Sequence, residues 1–509
     1  MTAALDRLVE ALPRRYPGPG GAIAVLRDGE TLVRHAWGFA NAELRIPFTP
    51  SSLVRLCSVT KQFTCGLVLD TFADPTVLDP DVRARLPLLD VAAPTALELC
   101  HNQSGLRDYW AVAMLHGAPA ESAFGDAETA RVIGGTRTLH FAPGTSYSYV
   151  NQNFRILSDI LQDRTGRGLG ELLRTRIFDP AGMRTAFVAA DTRAMPDGTE
   201  GYEGSQTTGF RPAINRIVWT GDAGIGASLD DMIAWERHID ATRDDPASLH
   251  ARLAAPVRFR DGTPAQYGFG LGRRRAQGRP VFGHGGALRG WRTTRFYLPT
   301  ERVSVVVLFN HSADAGAAAS DALGALLGDE PPAPTSALPT PPWLGAYLER
   351  ETGLVARIEV TAGKARLRYG QSPELLDLNV DGSAGTTGTR LVPDGSALWM
   401  DRPAENRRSR LELVADVQAL PVAGRYRCEE LDAVLTIEDT GGTLYGGFSG
   451  FLGQGRMELL DAVGPNLWTL PCPRALDHAP PGDWTLRVHR DGIQVGCWLA
   501  RGLDYKRVG

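Results

Sequence analysis

PPAPTSALPTPPW, residues 331–343, divides the chain in two. Six prolines in these thirteen residues fix φ and remove backbone donors, so the stretch reads as a stiff, extended linker. Ahead of it, helical and strand patterns are mixed. Beyond it, helix signals vanish and short alternating strands with Gly and Asp turns take over. The expected division is a domain over 1–330, a linker over 331–342, and two all-β units over 343–419 and 420–509, with a break near Leu420.

In the first part, GAIAVLRDGETLVRHAWGFA (21–40) alternates about Asp28-Gly29, a β-hairpin signal. The opening MTAALDRLVEALPRRYPGPG carries Asp6, Arg7 and Glu10 within its apolar pattern. It reads as a short amphipathic helix ended by Pro and Gly, not as a leader peptide. Further helices are expected at 56–72, 151–165, 170–177 and 228–239, with Ser228 capping the last ahead of Asp230 and Asp231. Strands are expected at 267–271, 291–298 and 302–309, and a closing helix at 314–327. Strands at both ends with helices between predict an α+β domain whose antiparallel sheet joins distant segments.

In the second part, LGAYLERETGLVARIEV (344–360) aligns without a gap on AGRYRCEELDAVLTIED (423–439), at an offset of 79 residues. Gly345 matches Gly424, Tyr347 matches Tyr426 and Ile358 matches Ile437. Two similar units follow, each a small antiparallel barrel or sandwich.

The 509 residues carry a net charge of −4, with 43% hydrophobic and 22% charged residues, as in a soluble globular protein. No basic face for nucleic acid is implied. No apolar run approaches the roughly 18 residues that span a bilayer, and a cytoplasmic protein is expected. Six cysteines without a CxxC pair argue against a disulfide framework and a structural zinc site. Of 54 basic residues only Lys61, Lys364 and Lys506 are lysines. Arg keeps its proton in proteins, whereas a desolvated Lys can become a neutral base.

One of those lysines lies in LCSVTKQF (56–63). Ser58 and Lys61 are three apart and share a helix face. A neutral lysine within hydrogen-bond reach can take the proton that makes a serine hydroxyl nucleophilic, and a helix N-terminus favours the developing negative charge. The pattern equally fits a Ser cap with a surface Lys. Cys57 is a rival nucleophile, but it points about 100° away from Ser58 on a helix. It reads as a small apolar filler whose modification by a thiol reagent would block the site sterically. GFGLG (268–272) lacks the strand–turn–helix context of a nucleotide loop and reads as a strand passing close to another element. PGTSYSYVNQNFRIL (143–157) brings Tyr149, able to relay a proton, and Asn151, able to hold an amide or amine. FGHGGALRGWR (282–292) places His284-Gly285-Gly286 at a strand start, with glycines that permit close approach of a substrate backbone. Each of these stretches, taken singly, also fits an ordinary turn.

In this order, Ser58/Lys61, Tyr149/Asn151 and His284-Gly285-Gly286 resemble the S-x-x-K, Y-x-N and K-T-G-like elements of the penicillin-recognising serine hydrolases. CSVTKQFTC (57–65), HNQSGLRDYW (101–110), GDAGIGAS (221–228), GHGGALRGWR (283–292) and CWLARGLDY (497–505) extend the resemblance, over the whole chain, to the bacterial D-stereospecific aminopeptidases. That resemblance implies a β-lactamase-like α+β catalytic domain followed by two eight-stranded antiparallel β-barrels. It implies a homodimer without metal or other cofactor, inhibited by β-lactams. The implied reaction removes N-terminal D-residues, preferably small ones such as D-alanine, from peptides, amides and esters.

The resemblance also implies roles. Ser58 is the nucleophile, Lys61 its base and Tyr149 the group that passes a proton to the leaving amine. Asn151 is the polar contact beside them, and the backbone N–H groups of Ser58 and Ala287 form the oxyanion hole. His284 stands where most of the superfamily has Lys. An imidazole mostly neutral at pH 7 suits a substrate with no carboxylate beside the scissile bond, although Arg289 could partly restore positive charge. CPRALDHAPPGDW (472–484), long for a hairpin loop, is implied to reach the active site, with Asp477 meeting the substrate amine. The alternatives are a DD-carboxypeptidase, β-lactamase or esterase of the same superfamily, or a non-catalytic β-lactam-binding sensor. No spacing in the chain encodes D over L.

Overall fold

The computed structural model describes residues 3–191, 195–276, 278–328, 339–414, 421–474, 476 and 480–508. Most of the Pro-rich linker, the break near Leu420 and Asp477 lie outside the described residues.

Strand Gly20–Arg27 turns through Asp28 (φ +56°) and Gly29 (φ +78°) into Glu30–Asn41, a two-residue hairpin turn with both φ positive, as the Asp-Gly pair predicts. Gly20–Arg27 also pairs antiparallel with Val303–Phe309, Gly21 opposite Phe309 and Arg27 opposite Val303. Segments from both ends of the first domain therefore form the middle of an eight-stranded sheet. From that middle it continues through Trp291–Leu298, Arg279–Leu288 and Leu271–Ala276 to Tyr267–Gly268 at its edge.

Val303–Phe309 is buried at every position, because both faces of the sheet are covered. Alternate side chains go to opposite sides. Ile23, Val25, Val305 and Val307 pack with Leu5, Leu8 and Leu12 of helix Ala3–Arg15 and with Ala318 and Ala322 of helix Ala315–Leu327. Ala22, Ala24, Val306 and Leu308 belong to the larger core, with Phe63 and Leu67 of helix Thr60–Thr71 and Trp235 of helix Leu229–Ala241. Ser228 caps that last helix in a reciprocal box with Asp231. Asp79–Arg85, Ala96–Cys100, Tyr109–Leu115 and Asp126–Gly134 add four helices of at most nine residues, too short to display a helical repeat in the sequence.

The strand expected at 267–271 is interrupted at Phe269 and Gly270, both at positive φ. A Cβ on Gly270 would stand 2.7 Å from Gln62 Cα. The glycine of GFGLG thus lets the sheet edge cross directly over helix Thr60–Thr71.

After the linker, eight strands from Gly345–Glu349 to Arg407–Leu413 close into a barrel, the last pairing with the first. The second unit departs from the closed eight-stranded barrel that was expected. Its ten strands form an open sheet among the described residues, a half-barrel. Glu458–Leu459 pairs with Leu444–Gly450 near one edge, and Asp461–Gly464 pairs with Leu467–Leu470 at the other. Leu460, whose N–H still donates to Leu444 O at 2.9 Å, connects the two pairings, so covalent connection stands where a closing ladder would.

The internal repeat extends to hydrogen bonding. Gly345 faces Ile358 across the first hairpin and Gly424 faces Ile437 across the second. Tyr347 donates its hydroxyl proton to Trp343 O and Tyr426 to Val422 O, each at 2.9 Å. All six cysteines are free. No helix among the described residues is long and apolar enough to cross a membrane.

Candidate active site

Leu56 N donates to Ile225 O at 2.9 Å, ending a short extended segment. The chain then turns at Cys57, φ +52°, into the 3₁₀ turn Cys57–Val59 and helix Thr60–Thr71. A left-handed non-glycine residue costs of order 1–3 kcal/mol and persists only where its surroundings enforce it. Strand Arg279–Leu288 does so here. A Cβ on Gly286 would lie 2.8 Å from Cys57 Cβ and nearer still to Leu56 O and Thr293 Oγ1. Thr293 Oγ1 donates to Leu56 O at 2.8 Å. Gly286 therefore makes room for the protein's own turn, not for a substrate backbone. Gly285 keeps the expected openness, with nothing nearer than 3.8 Å to a Cβ there.

This turn sets Ser58, 6% exposed, at the head of the helix, one turn from fully buried Lys61. Lys61 Nζ lies 3.0 Å from Ser58 Oγ, 2.9 Å from Asn151 Oδ1 and 2.8 Å from Asp222 O. Three oxygens match either protonation state. An ammonium donates to all three. A neutral amine donates to Asn151 and Asp222 and turns its lone pair to the Ser58 hydroxyl. Burial pushes the Lys61 pKa down to about 8, against the opposing pull of Asp222 and Asp108.

Asp108 orients the site from behind. Its Oδ2 accepts from Asn151 N at 2.6 Å and from Asn151 Nδ2 at 2.9 Å, which leaves Asn151 Oδ1 facing Lys61. Burial raises the Asp108 pKa to about 6, against the hydrogen bonds from Asn151 and Trp110. Sequence reasoning missed this residue, although it sits inside the quoted HNQSGLRDYW. Tyr149 shares the cavity wall with Ser58, and its ring centroid lies 5.0 Å from Lys61 Nζ. Burial raises its pKa well above the usual tyrosine value, so the phenol keeps its proton.

His284 Nδ1 meets the Gly285 carbonyl, and Nε2 stands 3.1 Å from Tyr267 OH. A carbonyl only accepts, so Nδ1 carries a proton, and a neutral ring then accepts the Tyr267 hydroxyl at Nε2. Removal from water, then the charge of Lys61, push its pKa down to about 3. Neutrality at residue 284 was the sequence expectation.

Cys57 is inert. Its thiol is fully buried, donates to Arg55 O at 3.3 Å, and is pushed up to about 12 by burial. The expectation that a thiol reagent would reach it does not hold in the folded protein.

Ser58, Tyr149, His284 and Ala287 line one cavity of about 530 Å³. Arg289 is not on its wall. It pairs with Glu203 at 2.7 Å and Glu121 at 3.0 Å, so it cannot supply the missing cation. Arg274 and Arg292 line the cavity instead, with Asp314 as the carboxylate among the described lining residues. The barrel contributes Gln371 and Ser372, and the last unit contributes Trp498. Trp498 is fixed by donation to Glu405 Oε1 at 2.9 Å and by its neighbour Leu499, whose carbonyl accepts from Asp108 N at 3.0 Å.

The loop 472–484 does join two paired strands, Leu467–Leu470 and Trp484–His489. Its Arg474 pairs with Glu121 of the first domain. Asp477, its expected amine contact, lies outside the described residues.

Comparison with known proteins follows the same division. A family model described as β-lactamase matches residues 5–330, and one described as D-aminopeptidase, domain B, matches residues 336–506. A D-aminopeptidase of Gluconobacter oxydans (strain 621H) is 60% identical over 522 residues, covering 100% of this chain and 99% of its own. A D-aminopeptidase of Brucella canis is 46% identical over 511 residues, covering 99% of this chain and 98% of its own. Among solved structures, the octameric penicillin-binding protein homologue from Pyrococcus abyssi shares the fold. Its TM-score is 0.55 at 20% identity, covering 80% of this chain and 98% of that one. D-amino acid amidase from Ochrobactrum anthropi SV3 shares it at a TM-score of 0.53 and 19% identity, over 64% of this chain and 98% of that one.

Proposed function

The chain belongs to the D-aminopeptidase family, and on that premise we propose that it removes N-terminal D-residues, D-alanine-like in size, from peptides, amides and esters through an acyl-Ser58 intermediate. The observation that carries this reading is the Lys61 amine, buried and 3.0 Å from Ser58 Oγ, with its two other contacts made to oxygens that only accept. Neutral Lys61 takes the Ser58 proton as Oγ attacks the carbonyl. The backbone N–H groups of Ser58 and Ala287 hold the oxyanion, and Tyr149 passes a proton to the leaving amine. Water then takes the place of that amine and the acyl-enzyme is hydrolysed.

The free α-amine of the substrate is met by a carboxylate. Asp477 holds that role in our reading, and Asp314 is the other candidate, being on the cavity wall. Asp477→Ala should raise KM for D-Ala p-nitroanilide far more than for its N-acetylated counterpart. If Asp314→Asn produces that selective effect and Asp477→Ala does not, the anchor is Asp314. The mechanism itself is tested by Ser58→Ala, which should abolish release of D-alanine from D-Ala p-nitroanilide. Retained turnover rejects it. Rates on D- and L-alaninamide test the stereopreference, and light scattering tests the homodimer.

A further inference from the structure

The first domain and both β units meet at a second cavity, of about 460 Å³ and separate from the catalytic one. Arg107 and His140 reach it from the first domain, Arg350 and Arg407 from the barrel, and Arg487 and Arg501 from the last sheet. Glu351 is the one acidic residue among its described lining.

Carboxylates behind the wall answer three of the five guanidiniums. Arg107 pairs with Glu430 at 3.1 Å, Arg350 with Glu412 at 2.5 Å, and Arg407 with Glu349. The remaining donors are less well served. Arg501 is 4% exposed, its Nη2 has no hydrogen-bond acceptor among the described residues, and Glu405 Oε2 is 3.9 Å away. Arg487 Nη2 donates to the Gln494 amide oxygen at 2.7 Å. Both ring nitrogens of His140 are shielded from solvent, without a hydrogen-bond partner among the described residues, so the ring borders the cavity through its carbons. Burial and the charges of Arg501, Arg107 and Arg407 hold that ring well below its usual pKa. A buried donor without an acceptor is costly, more so when charged. Guanidinium forks match the oxygen pairs of carboxylates and phosphates.

We propose that this cavity binds a small multivalent oxyanion, phosphate or polycarboxylate in chemistry, held by the guanidiniums of Arg501 and Arg487 from the last sheet and of Arg107, Arg350 and Arg407 facing them from the other two units. Because its ligands come from all three units, the bound anion ties them together. Nothing in the Ser58 reaction is needed for this binding, so its test stands apart from the proposed activity.

The full chain is titrated by calorimetry with pyrophosphate, inorganic phosphate and citrate in turn, at constant ionic strength. One equivalent of at least one probe should bind saturably and raise the melting temperature. Pyrophosphate or phosphate without citrate marks a phosphoryl ligand, and citrate alone marks a polycarboxylate. Arg487→Gln, at the half-buried rim, should weaken binding about tenfold or more, as expected for loss of a charged hydrogen bond. Arg425→Gln, on the exposed face of the last sheet, should leave binding unchanged. No saturable binding by any probe overturns the proposal, as does wild-type affinity in Arg487→Gln.

Discussion

Gly286→Ala measures how far the nucleophile turn depends on the strand behind it. The added methyl would stand 2.8 Å from Cys57 Cβ, and Leu56 O and Thr293 Oγ1 would be nearer still. Comfortable carbon contacts are about 3.5–4.0 Å. The turn or the strand must therefore retreat by about 1 Å. The turn is already strained at Cys57 and carries Ser58 on its next residue. A displacement of about 1 Å at a reacting group costs about 100-fold in rate. Overpacking of a tight interior costs about 1–3 kcal/mol. The expected result with D-Ala p-nitroanilide is a fall in kcat/KM of about 100-fold, most of it in kcat, with an earlier urea unfolding transition of the first domain. Gly285→Ala is the control one residue away. Nothing lies nearer than 3.8 Å to its Cβ, so the unfolding midpoint should hold and the methyl should act on KM. Wild-type kcat/KM in Gly286→Ala refutes the reasoning, as does an equal loss of stability in Gly285→Ala.

Three other outcomes follow from the buried charges. Acylation by a D-lactyl ester, which has no amine of its own to titrate, should rise with pH around 8, because Lys61 must lose its proton to act and its pKa is lowered to about 8. A rate that is flat from about pH 6 to 9 contradicts the lysine-base mechanism. Asp108→Asn removes a negative charge that favours protonated Lys61, so the same limb should move to lower pH; an unmoved limb detaches Asp108 from the base. Cys57→Ser should keep most activity, and in the native protein the Cys57 thiol should resist Ellman's reagent at pH 8, being fully buried and pushed up to about 12; rapid labelling of that thiol would contradict its inertness.

Much of the site was legible in the chain because short-range geometry carries it. Ser58 and Lys61 share a helix face by spacing alone, and Tyr149 and Asn151 stand at the entry to helix Gln152–Thr165. Gly270 announced a close crossing without naming its partner, which proved to be the Lys61–Gln62 segment itself. Arg289 failed as a cation because two glutamates far away in the chain, Glu121 and Glu203, claim it. The second unit is a half-barrel in which Glu458–Leu459 pairs at one edge and Asp461–Gly464 at the other, a choice between partners that strand propensity does not encode.

By itself, the sequence determined the order of the parts: a mixed domain with an S-x-x-K helix, a Pro-rich break, and a duplicated β hairpin whose glycine and tyrosine recur 79 residues on. Each is a pattern over a few residues, set by φ, by helix period or by the alternation of a strand. Tertiary structure alone decided what surrounds Ser58. Arg274, Arg292, Asp314, Gln371 and Trp498 come from different strands, loops and domains, and no spacing relates them. Burial decided the chemistry as well. Only when packing removes water from Lys61 and His284 does one approach a neutral base at about 8 and the other stay uncharged, because desolvation is a property of the assembled fold and not of the residue.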